Sequence, residues 1–127
     1  MTVLAFIVED HDLVRDALRD ALAEMSALEV VGSAASAAEA VAWLRRNPDG
    51  WHIVVIDLLL VHDSGLEVLK ACRSRRSTQR AVVLTGYGTS EMRRMCAALG
   101  ADAVFDKSTE IDELIAYCVE FSRSITA

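Results

Sequence analysis

The stretch IVVIDLLLVHDSGLEVL, at residues 53–69, decides the fold of this chain. Its first four residues form a continuous apolar run, which is typical of a strand that is covered on both faces. The run ends at Asp57. Ser64 and Glu67 then have the spacing of a capping box, which predicts the start of a helix. The stretch therefore indicates a buried strand, a loop that begins with an acid, and a helix.

The same alternation of strand and helix recurs along the chain. Amphipathic stretches separate the apolar runs, and a second capping box joins Ser36 to Glu39. Thr109 with Asp112 is a weaker version, and Gly100 lies where a helix end requires a left-handed residue. Five units predict an α/β fold with a doubly wound parallel sheet, since a barrel needs eight. The other predicted strands are VLAFIV (3–8), EVVGSA (29–34), AVVL (81–84) and AVF (103–105).

The composition of the chain fits one globular domain. The 127 residues are 53% hydrophobic and 25% charged, so we predict a single domain over residues 1–127 with no output domain. The formal net charge of −6 gives no basic face for phosphate neutralisation, which argues against direct binding of nucleic acid. No apolar run approaches the length of a signal-peptide core or a membrane span, so we expect a cytoplasmic protein without membrane contact.

Polar residues follow four of the five predicted strands. In a doubly wound sheet the functional site lies beyond the carboxyl ends of the strands, so these residues are expected to share one crevice. They are Glu9-Asp10 after the first strand, Asp57 after the third, Thr85-Gly86 after the fourth and Lys107 near the end of the fifth.

Three carboxylates in one crevice need more positive charge than Lys107 supplies, because they repel one another. Oxygen ligands with open water positions suit Mg²⁺, held by Asp10, Asp57 and Glu9 with a backbone carbonyl after Asp57. An Asp beside Mg²⁺ can act as a nucleophile on phosphorus and form an aspartyl phosphate. The hydroxyl of Thr85 and a backbone N–H left open by a glycine after it would then bind the phosphoryl oxygens.

The motifs that carry these residues resemble the receiver domain of bacterial response regulators. The resemblance covers essentially the whole chain. It implies a flavodoxin-like sheet with the strand order 2-1-3-4-5, which periodicity alone cannot give. Its motifs are IVEDHDLVRDAL (7–18), IDLLL (56–60) with SGLEVL (64–69), VVLTGYG (82–88) and GADAVFDKS (100–108).

The resemblance also implies a role for each residue of the crevice. Asp57 would be the phosphoacceptor, and the donor would be a phosphohistidine on a sensor histidine kinase or a phosphotransfer protein. Asp10 would be the main Mg²⁺ carboxylate, with Glu9 assisting through water and the backbone carbonyl of Leu59 completing the ligands. The phosphoryl group would contact the side chains of Thr85 and Lys107 and the backbone of Leu59 and Gly86.

The chain departs from the family pattern at three places. Leu60-Val61 replaces a common Met-Pro pair, so we expect the loop after Asp57 to lose a conformational lock. Ser108 follows the lysine where proline is common, so a cis bond is not expected. Val104 stands at the strand-five switch position, where the family often has Tyr or Phe, and Phe105 should lie on the opposite face. We therefore expect the readout of phosphorylation to differ from that of other family members. We also expect Leu59 and Tyr87 to border the path of the water that hydrolyses the aspartyl phosphate.

Two aromatic residues of the last predicted helix have two interpretations. Tyr117 and Phe121 are one helical turn apart and lie beside the main apolar stripe. They could form a wide core face. They could instead form an exposed patch for readout by an output partner or a homodimer, in which case changing both to Ala would weaken that contact and leave phosphorylation intact.

The remaining polar and aromatic residues receive structural interpretations. His11 is predicted to begin a helix rather than bind a metal, since Mg²⁺ prefers oxygen, and His52 and His62 have no implied partner. The tryptophans at positions 43 and 51 should pack, and the three cysteines should be buried thiols. The arginines at positions 73, 75, 76 and 80 are predicted to be solvated.

The functional hypothesis is a phospho-switch that acts through a separate output protein, or a shuttle in a phosphorelay. It is not an enzyme beyond its own phosphorylation and dephosphorylation. A truncated piece of a longer regulator would have the same sequence. One alternative is a small Mg²⁺-dependent phosphohydrolase, although such enzymes usually have an acid where this chain has Leu59. The other is a degenerate receiver that binds partners constitutively.

Overall fold

Five parallel strands form one sheet in the order β2-β1-β3-β4-β5, as the resemblance implies. The computed structural model describes residues 2–25, 27–86 and 88–126, and the side chain of the last of these is not described. The strands are β1 (Val3–Val8), β2 (Leu28–Ala34), β3 (Ile53–Asp57), β4 (Arg80–Thr85) and β5 (Ala103–Asp106). The helices are α1 (Asp12–Ala23), α2 (Ala37–Arg46), α3 (Gly65–Ala71), α4 (Ser90–Ala98) and α5 (Ile111–Thr126).

Each predicted strand is present, and the continuous apolar runs lie at the centre of the sheet. Every residue of β3 is buried, which agrees with a strand that is covered on both faces. The pairing of β1 with β2 shifts its register between Ala5 and Phe6. No helix among the described residues is both long enough and apolar enough to cross a membrane.

Two hydrophobic cores lie on opposite faces of the sheet, so the sheet is doubly wound. The first core joins β1, β3 and β4 to α2, α3 and α4, and the second joins the same strands to α1 and α5. The three cysteines are free and buried, as predicted. Trp51 is buried, and Trp43 stacks on Phe6 with their ring centroids 4.1 Å apart, so both tryptophans pack.

The predicted helix signals are confirmed at three of four places. Ser36 and Ser64 are the N-caps of α2 and α3, although Ser64 accepts from the second amide of its helix rather than from Glu67. Gly100 has a φ of 101°, which is the left-handed conformation expected after α4. The prediction of Thr109 as a cap is wrong, because α5 begins at Ile111 and Glu110, whose carbonyl accepts from the backbone N–H of Leu114, directly precedes the helix.

The prediction of a solvated arginine segment is wrong for two of its members. Arg75 donates to the carbonyl of Gly100 and forms an ion pair of 2.7 Å with Asp102, which fixes the end of α3 against β5. The guanidinium of Arg80 lies 4.9 Å from the centroid of the Phe121 ring, in a cation–π arrangement. Residues from the far end of the chain supply these partners, so local sequence does not reveal them.

His52 also has a partner that the sequence does not imply. Its Nδ1 accepts a hydrogen bond of 2.9 Å from the backbone N–H of Leu4, at the start of β1. Burial lowers the pKa of His52, so the neutral ring is favoured in the folded protein. The residue therefore joins β1 to β3 at the amino end of the sheet.

Candidate functional site

The strand order brings the three predicted carboxylates together. β1 and β3 are neighbours, and Val8 pairs with Ile56, so Glu9 and Asp57 emerge side by side at the carboxyl ends of the two strands. One carboxylate oxygen from each of Glu9, Asp10 and Asp57 lies within 4.8 Å of the others. The predicted acidic crevice is thus present at the expected edge of the sheet.

Asp57 is held from two sides. Its carboxylate is 4% exposed, and its Oδ1 accepts a hydrogen bond of 3.1 Å from the backbone N–H of Leu59. Its Oδ2 lies 3.1 Å from Nζ of Lys107. The side chain is therefore fixed in orientation at the floor of the crevice.

Among the described residues, Lys107 supplies the positive charge beside the cluster of three carboxylates. Its Nζ lies 2.5 Å from Oε1 of Glu9 as well as beside Asp57. Burial lowers the pKa of Lys107, but the two carboxylates outweigh it and raise that pKa above its usual value. The lysine reaches the crevice because its backbone N–H donates to the carbonyl of Thr85 at 2.9 Å, which joins β5 to the end of β4.

Glu9 is the most deeply buried of the three acids, with 1% of its surface exposed. Burial raises its pKa, Asp57 raises it further, and Lys107 opposes the shift. Oε2 of Glu9 accepts from the backbone N–H of His11 at 3.3 Å. Oε1 is buried and has no well-aligned hydrogen-bond donor among the described residues, although Nζ of Lys107 is close enough for an ion pair.

This donor set fits Mg²⁺. Three carboxylates share one ammonium group, and a buried oxygen of Glu9 lacks an aligned donor. Hard oxygen ligands on one open side of a crevice are the arrangement in which proteins hold Mg²⁺ together with water and phosphate. His11 stays outside this set, because it is the N-cap of α1 and accepts from the backbone N–H of Val14, as predicted.

The loop after Asp57 has no proline, and hydrogen bonds to side chains hold it in place. The backbone N–H of Val61 donates to Oδ2 of Asp10 at 2.6 Å, a bond that proline at this position could not make. The two oxygens of Asp63 accept from the backbone N–H groups of Ala37 and Ala38, at 2.8 and 3.1 Å. These contacts tie the acceptor loop to the crevice and to the start of α2.

The structure adds Gly65 to the site. A Cβ atom at this position would lie 2.1 Å from the carbonyl oxygen of Asp57, so a larger residue would displace the acceptor strand. The sequence did carry one sign of this role, because Gly65 directly follows the predicted capping residue Ser64. Gly86 differs, because a Cβ there would meet no atom of the described residues within 4 Å, so no close contact with the protein requires glycine at this position. The open backbone N–H of Gly86 toward a phosphoryl group stays a prediction.

The other predicted phosphoryl ligands lie at the same edge of the sheet. Thr85 is buried at the end of β4 and its carbonyl holds Lys107. The side chain of Leu59 is 58% exposed at the rim, whereas Tyr87 lies outside the described residues. The described chain contains no cis peptide bond, as expected for Lys107 and Ser108.

The residues of the predicted readout surface mostly belong to the core. Val104 and Phe105 pack on opposite faces of the sheet, as predicted. Phe121 is 6% exposed, and Tyr117 is half-buried with its ring edge-on to Phe105 at 5.8 Å. The exposed-patch interpretation is therefore wrong for Phe121, because α5 buries a face wide enough to include it. Replacing both aromatic residues would remove core contacts as well.

Known proteins with similar sequences and structures point to one family. The family model of the response regulator receiver domain matches residues 5–118. The DNA-binding transcriptional activator DevR/DosR of Mycobacterium tuberculosis is 34% identical over 113 residues, which are 88% of this chain and 51% of that protein. A two-component response regulator of the LuxR family from Aurantimonas sp. SI85-9A1 superposes with a TM-score of 0.85 at 27% identity, over 98% of this chain and 87% of that one.

A third protein is similar in fold. It is a response regulator protein from Burkholderia pseudomallei with a phosphorylated aspartic acid, calcium ion and citrate, and it has a TM-score of 0.76 at 20% identity, over 98% of this chain and 71% of that one. The chain spans about half the length of the curated relatives that it matches. Since the family model covers most of the sequence and the strand order agrees, the chain belongs to the response regulator receiver domain family of two-component systems.

Proposed function

We propose that Asp57 accepts a phosphoryl group in a Mg²⁺-dependent reaction, and that the chain is a phospho-switch in a phosphorelay. One observation carries the proposal. Asp57 is buried among two further carboxylates within 4.8 Å and is held by Lys107 at 3.1 Å. An aspartate that only stabilises the fold does not require two neighbouring carboxylates and a lysine. An aspartate that accepts a phosphoryl group does require charged groups held in fixed positions around it.

The chain's own residues would position the acceptor and neutralise charge. A carboxylate oxygen of Asp57 forms a bond to phosphorus as the bond from phosphorus to the donor nitrogen or oxygen breaks. Lys107, which lies beside Asp57 Oδ2, would pair with one phosphoryl oxygen. The hydroxyl of Thr85 and the backbone N–H groups of Leu59 and Gly86 would hydrogen-bond the others.

Glu9, Asp10 and Asp57 would hold Mg²⁺, with the backbone carbonyl of Leu59 as a further ligand. Bound there, Mg²⁺ would supply positive charge to the oxygens of the phosphoryl group. The Burkholderia pseudomallei protein, which has a phosphorylated aspartic acid and a calcium ion, supports this combination in the same fold. Asp10 also accepts a hydrogen bond from the backbone N–H of Val61, which would hold its carboxylate at the edge of the crevice.

The proposed donor is a phosphohistidine of a sensor histidine kinase or a phosphotransfer protein, and the proposed output is a separate protein in the cytoplasm. DevR/DosR is a DNA-binding activator, but this chain matches only half of it. The net charge of −6 supports our proposal that the domain described here does not bind nucleic acid itself. We also propose that two copies of the domain can associate as a homodimer.

Intact mass spectrometry with acetyl phosphate tests the function. Incubation with Mg²⁺ should add one phosphoryl group, incubation with EDTA should add none, and the Asp57→Asn variant should stay unmodified. After the donor is removed, the added mass should decay without any external substrate. A protein that gains no mass under any condition would favour the constitutive receiver. The apolar side chain of Leu59 gives no support to the phosphohydrolase.

A further inference from the structure

An arginine of α4 connects three separate segments near the site. The Nε–H group of Arg93 donates to the carbonyl of Gly88 at 2.9 Å, and an Nη1–H group donates to the carbonyl of Val104 at 2.9 Å. Its Nη2 forms an ion pair with Glu110, directly before α5. One guanidinium group thus joins the loop after β4, the middle of β5 and the start of α5.

Two further contacts close this network, which we call the Arg93 clamp and define as Gly88, Arg93, Asp106 and Glu110. The backbone N–H of Gly88 donates to Oδ2 of Asp106 at 3.3 Å, and the backbone N–H of Asp106 donates to Oε1 of Glu110 at 2.9 Å. A Cβ at Gly88 would lie 2.9 Å from both Arg93 and Asp106. The backbone of the loop at Gly88 therefore lies in close contact with the charged side chains of Arg93 and Asp106.

The clamp lies a short distance from the proposed phosphoryl ligands. Only two residues separate Thr85 from Gly88, so these two positions are at most about 11 Å apart along the backbone. On the other side, Asp106 directly precedes Lys107 in the sequence. If a phosphoryl group on Asp57 bound Thr85 and Lys107, it would therefore act on residues directly connected to both ends of the clamp.

We propose that Arg93 couples the phosphorylation of Asp57 to the first turn of α5, which rests on the proposed function. Val104 contributes its carbonyl rather than its side chain, so the coupling does not require an aromatic residue in β5. Movement of the β4–α4 loop changes the bonds of Arg93 to Gly88, and the ion pair passes that change to Glu110. Arg93 acts here as a positioning residue and does not touch the phosphoryl group.

Two backbone amides can be used to measure changes at the Glu110 end of the clamp, where α5 begins. The N–H of Glu110 donates to the carbonyl of Asp106 at 2.8 Å, and the N–H of Leu114 donates to the carbonyl of Glu110 at 3.0 Å. Their hydrogen exchange, measured by NMR, should change by about fivefold or more when excess acetyl phosphate and Mg²⁺ are added, as expected for an ordinary coupling free energy.

The test compares Arg93→Gln with Arg94→Gln, which removes the same charge from an exposed neighbour on the same helix. Glu110→Gln breaks the ion pair from the other side and serves as a second variant if Arg93→Gln folds poorly. All three proteins should gain one phosphoryl group by intact mass. The phosphorylation-dependent change at Leu114 should disappear in Arg93→Gln and Glu110→Gln and persist in Arg94→Gln.

Two results would overturn the coupling while the proposed function stands. One is a phosphorylated wild type whose Leu114 amide is unchanged. The other is a full exchange response in phosphorylated Arg93→Gln and Glu110→Gln. A wild type that gains no phosphoryl group would instead refute both the proposed function and the coupling.

Discussion

Replacing Asp57 by Asn should stabilise the metal-free protein by about 1–2 kcal/mol. The three carboxylate oxygens lie at most 4.8 Å apart, and at an effective dielectric constant near 20 two unit charges at this upper limit repel by about 3.5 kcal/mol. The negative charge of Asp57 meets two such repulsions, from Glu9 and Asp10. It gains one attraction of about 5 kcal/mol from Lys107 at 3.1 Å. The repulsions are slightly larger, so removing the charge lowers the free energy of the folded state.

Asparagine is suited to this test because it preserves the shape of the site. Its side-chain oxygen can still accept from the backbone N–H of Leu59, so the difference reports charge rather than a lost hydrogen bond. Urea unfolding in EDTA gives the free energy of unfolding of each protein. Added Mg²⁺ should then stabilise the wild type more than the variant, because the variant has lost one ligand charge.

Asp20→Asn is the matched control, since it makes the same change in net charge at an exposed position of α1. It should alter the free energy of unfolding by less than about 0.5 kcal/mol. The reasoning is refuted if Asp57→Asn is no more stable than this control in EDTA. It is also refuted if Mg²⁺ stabilises the wild type and the Asp57 variant equally.

Three other substitutions test the supports of the site. Gly65→Ala should cost about 3 kcal/mol or more in urea unfolding and reduce phosphorylation, because its Cβ would meet the carbonyl of Asp57 at 2.1 Å. Asp63→Ala should cost about 1–2 kcal/mol in the same assay, since two amides at the start of α2 lose their acceptors. His52→Asn should flatten the dependence of stability on pH between about 5 and 7, because Asn can still accept from Leu4 but does not titrate.

The sign of the pH effect follows from the lowered pKa of His52. The unfolded chain binds the proton at a higher pH than the folded protein does, so wild-type stability falls as the pH drops below about 6.5. An equally steep loss in His52→Asn would contradict this. For the other two substitutions, Gly86→Ala and Asp63→Asn are the matched controls. In urea unfolding, the first should be nearly neutral, because a Cβ at Gly86 meets no described atom within 4 Å, and the second should lie between wild type and Asp63→Ala.

Sequence patterns predict most of this fold because the signals are local. Continuous apolar runs mark the buried strands, and serine caps mark the starts of α2 and α3. The crevice is predictable as well, because parallel strands deliver Glu9, Asp57 and Lys107 to one edge whatever the side chains between them. The left-handed conformation of Gly100 belongs to the same class of short-range rules.

The contacts that sequence reasoning missed join backbone groups to distant side chains. The bonds of the Val61 amide and of Asp63 hold the loop that lacks the proline common in this family, yet a backbone donor leaves no trace in a side-chain pattern. Arg75 has an ion-pair partner 27 residues away, which no helical spacing can indicate. For Phe121, periodicity allowed both a wide core face and an exposed patch, and only the packing of α5 decides between them.

Mapping the phosphorylated residue tests the central claim most directly. The protein is incubated with acetyl phosphate and Mg²⁺, reduced with borohydride, which converts an aspartyl phosphate to homoserine, and analysed by peptide mass spectrometry. We predict homoserine at position 57 and at no other aspartate, with none formed in EDTA. Unmodified Asp57, or homoserine at Asp10 instead, would contradict the account.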